Sequence, residues 1–226
     1  MTNTVHGFLF GFSFDANGAR DLRGFDDPPL EGERLRWLHL DWRAEESRRW
    51  LLDQAGVDPV AAEAALEGTV RPRVTRFGDA LLIVLRAANF EVGRAREDLV
   101  SLRILAQANL LVTLRRTRVR SAEDVRNLVL AHPAAFRDSA DLLASLSSHV
   151  QDRLQGVLED LADKLDDFED RIADPKQSPE RSEIADLRRS FIALRKSLGP
   201  QREALARLST EAHPLLGRKH EKELHE

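Results

Sequence analysis

The chain has 226 residues, no cysteine, 34 Lys and Arg against 38 Asp and Glu, and a formal net charge of −4. That length holds a core large enough to fold without disulfides. The missing cysteine excludes a disulfide framework and every thiolate metal site, leaving only His, Asp and Glu as metal ligands. Near-balanced charge excludes a whole-chain drive toward nucleic acid or anionic lipid. The longest apolar stretches, Ala80–Leu85 and Asn109–Leu114, fall well short of the roughly 18 residues that suggest a membrane span. The N-terminus, MTNTVHGFLF, carries neither a basic region nor an apolar leader, so nothing in it marks the chain for export.

The first 116 residues read as short β-rich runs between turn signals, with one helical insertion. Val5–Phe14 is the first strand, and DANGARDLRGFDDPP after it reads as turn. Leu35–Trp42 alternates, with one apolar face and one mixed face. Helices follow at Glu45–Gln54 and from Asp58-Pro59, where Asp caps and Pro fits the first helical position. Val70–Phe77 and Ala80–Ala87 form a hairpin through Gly78-Asp79, with Pro72 suited to an edge or strand start. Leu99–Ala106 and Asn109–Arg115 complete the expected mixed sheet. Ser121 with Asp124 resembles a capping box opening a helix through Leu130.

From about Ser139 the pattern changes to long helices. Leu154, Val157, Leu158, Leu161, Leu165, Phe168 and Ile172 recur at spacings of three and four, which places them on one stripe. ADPKQSPE breaks the chain, and Ser178 and Pro179 read as the cap and first residue of a second helix. Its seam is Ile184, Leu187, Phe191, Leu194 and Leu198, with a kink expected at Gly199-Pro200 and a stop at His213-Pro214. The reading is an α+β protein of α/β/α type. Residues 1–133 form a mixed sheet flanked by helices, 134–212 a long antiparallel helical hairpin, and 213–226 the start of a stalk helix that the sequence cuts short.

Four segments are similar to the ZntB group of the CorA superfamily of divalent-cation transporters: Trp37–Trp42 (WLHLDW), the RPRVTRFGDALLIVLRAANF run from Arg71, Glu97–Val129, and Ile192–Leu208. The LGPQR of Leu198–Arg202 leans toward ZntB and away from the magnesium-transporting CorA group. The resemblance implies an α/β/α cytoplasmic domain from which a stalk helix runs into two membrane helices, assembled as a homopentamer in the bacterial inner membrane. The family's Gly-Met-Asn pore signature is absent from this sequence, whose one methionine is Met1. The chain alone is therefore expected to be a monomer or weak oligomer that does not transport.

No cofactor is required, and the expected ion is zinc or a related divalent cation. Asp163, Asp166, Asp167 and Asp170 share one helical face, and their oxygens suit hard or borderline cations. The competing reading is a solvated face that keeps a long helix soluble. His213, His220, Glu221 and His225 are the residue types best suited to zinc. HEKELH is no zincin motif, because His220 and His225 lie about 140° apart around a helix.

The basic run Arg115, Arg116, Arg118 and Arg120 is expected to ion-pair with acidic helices and not to bind nucleic acid. No P-loop, GxGxxG, GxSxG elbow or cysteine nucleophile is present, which argues against an enzyme. The remaining alternatives are a CorA-type magnesium or cobalt channel domain and a stand-alone helical-hairpin interaction module.

Overall fold

The computed structural model describes residues 6–68, 70–173 and 179–211. Seven strands form one mixed sheet: β1 Phe8–Asp15, β2 Gly18–Asp21, β3 Leu35–Asp41, β4 Arg73–Phe77, β5 Ala80–Ala87, β6 Val100–Ala106 and β7 Leu110–Arg115. Their order is β2-β1-β3-β7-β6-β5-β4. Only β3 and β7 pair in parallel; the other neighbours are antiparallel. The helices are α1 Glu45–Asp53, α2 Pro59–Leu66, α3 Arg120–Ala131, α4 Ser139–Ala173 and α5 Arg181–Glu211. The architecture is the α/β/α arrangement expected.

Strand β3 buries both faces, where the sequence suggests one apolar and one mixed. On one side Phe12, Phe14, Trp37, Ile83, Leu102 and Ile104 pack with Val125 and Val129 of α3, Leu142, Leu146 and Val150 of α4, and Ala204 and Leu208 of α5. On the other, Leu38, Leu40, Val84, Leu105 and Val112 meet Trp50 and Leu51 of α1 and Ala61, Ala62 and Ala65 of α2. A sheet clothed on both sides needs near-continuous apolar strands, and ALLIVL in β5 is one.

The turn-rich segment after β1 holds a strand that the sequence conceals. GARD has no apolar alternation and no buried residue, yet β2 pairs with β1. The Asp15 carboxylate accepts from Asn17 N at 2.6 Å and Gly18 N at 3.1 Å, and Gly18 takes φ +137°, a value that favours glycine.

Asp58 caps α2 as expected, accepting from Val60 N at 2.8 Å and Ala61 N at 3.2 Å. The capping box at Ser121 does not form. Helix α3 opens at Arg120 after Val119 with no side-chain cap, Ser121 is buried, and Asp124 instead takes Arg153 Nη2 at 2.8 Å. Pro179 precedes α5, which begins at Arg181; Ser178 lies outside the described residues. Pro200 sits inside α5, which stays helical to Glu211. The stop at His213-Pro214 and the stalk segment 213–226 also lie outside the described residues.

The helical stripes are continuous in sequence but only their sheet-proximal parts find a core. Leu154, Val157, Leu161 and Leu194 are buried, whereas Leu165, Ile172, Ile184 and Phe191 stay exposed toward the far end of the hairpin.

One polar cluster is built into the sheet. The Trp37 indole donates to Thr113 Oγ1 at 2.9 Å, and His39 Nδ1 lies 2.8 Å from the same hydroxyl. That hydroxyl in turn donates to Leu38 O at 3.2 Å. The His39 ring stacks on Phe10 at 4.6 Å, and among the described residues its Nε2 has no partner. Burial, with help from the nearby Arg115 charge and against the weaker pull of Asp41, drops its pKa to about 3.

Between pH 3 and the ordinary 6.5 the unfolded chain therefore takes up a proton that the folded chain refuses. The His39 contribution is fully present above pH 6.5 and drains away as pH falls. Denaturant titrations of the parent and of His39→Leu should diverge in slope by about 1.4 kcal/mol per pH unit between roughly pH 6 and 4, the parent losing stability faster.

Candidate functional site

The four aspartates singled out by sequence, Asp163, Asp166, Asp167 and Asp170, are all exposed on the far half of α4. Asp167 lies 3.6 Å from Arg171, whose guanidinium also reaches Glu183 of α5 at 2.9 Å. Among the described residues no three His, Asp or Glu side chains gather into a group that could hold a metal ion. The quartet forms a charged stripe along α4. His213, His220, Glu221 and His225 lie outside the described residues. The hairpin is polarised: α4 carries nine carboxylates against three cationic side chains, and α5 seven cationic side chains against four carboxylates.

Besides its apolar packing, α5 is tied to the sheet by a hydrogen-bonded clamp that the LGPQR motif supplies. Strand β4 begins at Arg73, opposite Val84, so it cannot reach Arg86 two residues further along β5. The buried amide of Gln201 occupies that place. Its Oε1 accepts from Arg86 N at 2.6 Å and its Nε2 donates to Arg86 O at 3.1 Å. Helix α5 thereby hydrogen-bonds as a strand would, with Ala204 and Leu208 packed into the core behind it. Further out, Arg96 meets Asp160 at 2.8 Å, and Ser190 donates to Glu97 at 2.7 Å.

The basic segment after β7 splits its roles. Arg118 grips Glu123 with two contacts of 2.7 Å, which is the ion pairing expected. Arg120 lies over the Phe90 ring at 5.0 Å from its centroid, as does Arg153 at 4.9 Å. Arg115 is half-buried, and burial lowers its pKa. Arg116 opens onto a cavity of about 580 Å³ that Arg86, Arg94 and Arg103 also line, with Glu91 and Asp98 as its carboxylates.

Sequence reasoning missed this cavity. Its available signal was an arginine inside each of two apolar strands, Arg86 in ALLIVLRA and Arg103 in VSLRILA. Cross-strand pairing puts them on one face, since Arg86 faces Ser101 and Arg103 faces Val84.

The family model described as CorA-like Mg2+ transporter protein matches residues 32–226. The chain belongs to this family. It is 32% identical over 204 residues to the zinc transport protein ZntB of Yersinia enterocolitica, covering 90% of this chain and 62% of that protein. It is 30% identical over 208 residues to the divalent cation transporter CmaX of Pseudomonas aeruginosa, covering 90% of this chain and 62% of that one. The chain thus spans about three fifths of the length of these CorA-family relatives.

Among solved structures, full-length CmaX superposes with a TM-score of 0.82 at 28% identity, over 97% of this chain and 73% of that one. The ZntB cytoplasmic domain from Vibrio parahaemolyticus shares the fold, with a TM-score of 0.80 at 18% identity over 98% of this chain and 89% of that one. No helix among the described residues is long and apolar enough to cross a membrane. These relatives are named as transporters and not as enzymes.

Replacing Gln201 by Ala would remove the partners it gives the N–H and C=O of half-buried Arg86. Gln201→Ala should cost about 2–3 kcal/mol of unfolding free energy in a denaturant titration. Gln201→Glu, which loses the donor and buries a charge, should be no better.

Proposed function

We propose that this chain is the cytoplasmic regulatory and cation-gathering part of a zinc-type transporter of the bacterial inner membrane, and that the membrane-crossing part lies outside these 226 residues. The observation that carries the reading is the 32% identity to ZntB over 90% of this chain, against only 62% of that relative's length.

In this reading the protein works as a homopentamer, with α5 leading toward the stalk, while the chain by itself stays a monomer or weak oligomer. It is not an enzyme. The Asp163, Asp166, Asp167 and Asp170 stripe acts through its field, raising the local concentration of divalent cations without coordinating them directly. His213, His220, Glu221 and His225 supply zinc-type ligands for transient contacts. The Gln201 clamp gives regulation a path, because any shift of the sheet edge at Arg86 is carried into α5.

The description of the family model as Mg2+ transporter-like favours a second reading, a CorA-type magnesium or cobalt channel domain. Ion selectivity separates the two. The test is a chimera in which this chain replaces the matching region of the Yersinia ZntB, assayed in proteoliposomes for uptake of zinc and magnesium. Zinc uptake exceeding magnesium uptake supports the zinc reading, magnesium preference supports the second, and an assembled chimera that moves neither ion refutes both. Changing all four aspartates to Asn should lower zinc uptake at limiting zinc by about threefold, an effect that fades in high salt. An unchanged rate would remove the cation-gathering role.

A further inference from the structure

Strands β3, β5 and β7 run in the same direction, β6 lying antiparallel between the last two. The 580 Å³ cavity opens where these three strands end, bounded by Trp42 after β3, Arg86 in β5, and Arg116 and Thr117 after β7. The volume lies in the range of small-molecule pockets.

The cavity's charge is unusual for a domain whose relatives carry cations. Arg103, 2% exposed, donates to Ala65 O and to Gly68 O, the latter at 2.7 Å, and stacks over Trp42 at 4.5 Å. Arg86 donates to Ser101 Oγ and Val70 O, each at 2.9 Å. All of these acceptors are neutral. Among the described residues neither guanidinium has a carboxylate within ion-pairing distance, and the buried Nε of each lacks a partner.

Burial lowers both pKa values, Arg103 to about 10 with the Glu67 charge pulling the other way, and an arginine side chain stays cationic in a protein. Buried charges are normally paired, because leaving them without a counter-charge costs free energy. Arg94 and Arg116 add two exposed positive charges at the rim, against Glu91 and Asp98. Four guanidiniums and two carboxylates repel a divalent cation and attract an anion. Planar, multi-donor guanidiniums suit phosphoryl oxygens above other anions.

We infer that this cavity is a binding site for a soluble phosphate-bearing metabolite of about nucleotide size, held by Arg86 and Arg103 at the floor and by Arg94 and Arg116 at the rim. This goes beyond the transporter reading and does not depend on it. The ligand adds negative charge where Glu67, Glu91 and Asp98 only partly offset the four guanidiniums. The backbone of Arg86 is also the group that Gln201 of α5 grips, so occupancy bears on the same residue that fastens the hairpin.

The experiment is isothermal titration of the 226-residue chain with two probes, inorganic pyrophosphate and ATP, free of divalent ions. The expected result is saturable binding that weakens about tenfold in Arg94→Glu and in Arg116→Glu. Both side chains are exposed, so the unfolding midpoint should not move. Arg188→Glu, exposed on α5 and outside the cavity lining, is the control and should leave affinity within about twofold. Arg86→Gln should abolish binding if it folds, and the rim variants decide the matter if it does not.

Absence of saturable heat with either probe at about 1 mM overturns the proposal. So does equal weakening by Arg188→Glu, which would mean diffuse surface charge. Co-sedimentation with phosphatidic acid vesicles while neither soluble probe binds would assign the anion preference to a lipid surface and also overturn it.

Discussion

The side-chain amide of Gln201 stands in for a strand where β4 has run out, and it fixes α5 against the sheet edge beside the apolar packing that seats α4. A buried backbone N–H and C=O must find partners. At Arg86 no neighbouring strand can offer them on that side, so the partner has to come from outside the sheet. A glutamine carries one donor and one acceptor on a single planar group and fits both. Once Gln201 is fixed there, Ala204 and Leu208 fall onto the apolar face of the sheet and Leu194 onto α4, which sets where the hairpin leaves the domain.

Beyond that anchor the hairpin changes character. Near the sheet, α4 and α5 are core helices with buried Leu146, Val150, Leu154 and Leu208. Further out they are held by charge, with Arg171 bridging Asp167 and Glu183 and with acidic α4 against basic α5. Exposed ion pairs contribute little each and weaken with salt. The outer hairpin is therefore the less stable part of the fold and the part most open to bias by ions. The cavity at the end of β5 and β7 is rich in guanidinium charge, so one domain presents an acidic stripe and a cationic cavity at different places.

Much of this was legible in the sequence because it rests on periodicity. The strands β3 to β7 and both long helices follow from short β-rich apolar runs between turn signals and from spacings of three and four, and the four segments similar to the ZntB group pointed to the CorA-like family. What was hidden depends on contacts across the chain. Strand β2 exists because Asp15 and Gly18 turn the chain back onto β1, and GARD has no apolar pattern to announce it. Ser121 and Asp124 have the spacing of a capping box, but Arg153, 29 residues away, claims the aspartate. The four acidic residues on α4 share a face as expected, and helical spacing does not show whether a second element among the described residues joins them. Arg86 and Arg103 look like ordinary strand residues until pairing places them on one side of the sheet at one cavity.

The account stands on α5 being part of the sheet's cooperative unit near Gln201 and loosely held beyond it. Native-state hydrogen exchange with residue resolution tests this directly, since opening free energies report which segments unfold together. Amides of residues 194–208 should exchange at the slow rate of β5 and β6, and those of the outer hairpin, near 163–173 and 181–189, should exchange much faster. Uniform fast exchange along the whole of α5, with β5 still protected, would contradict it.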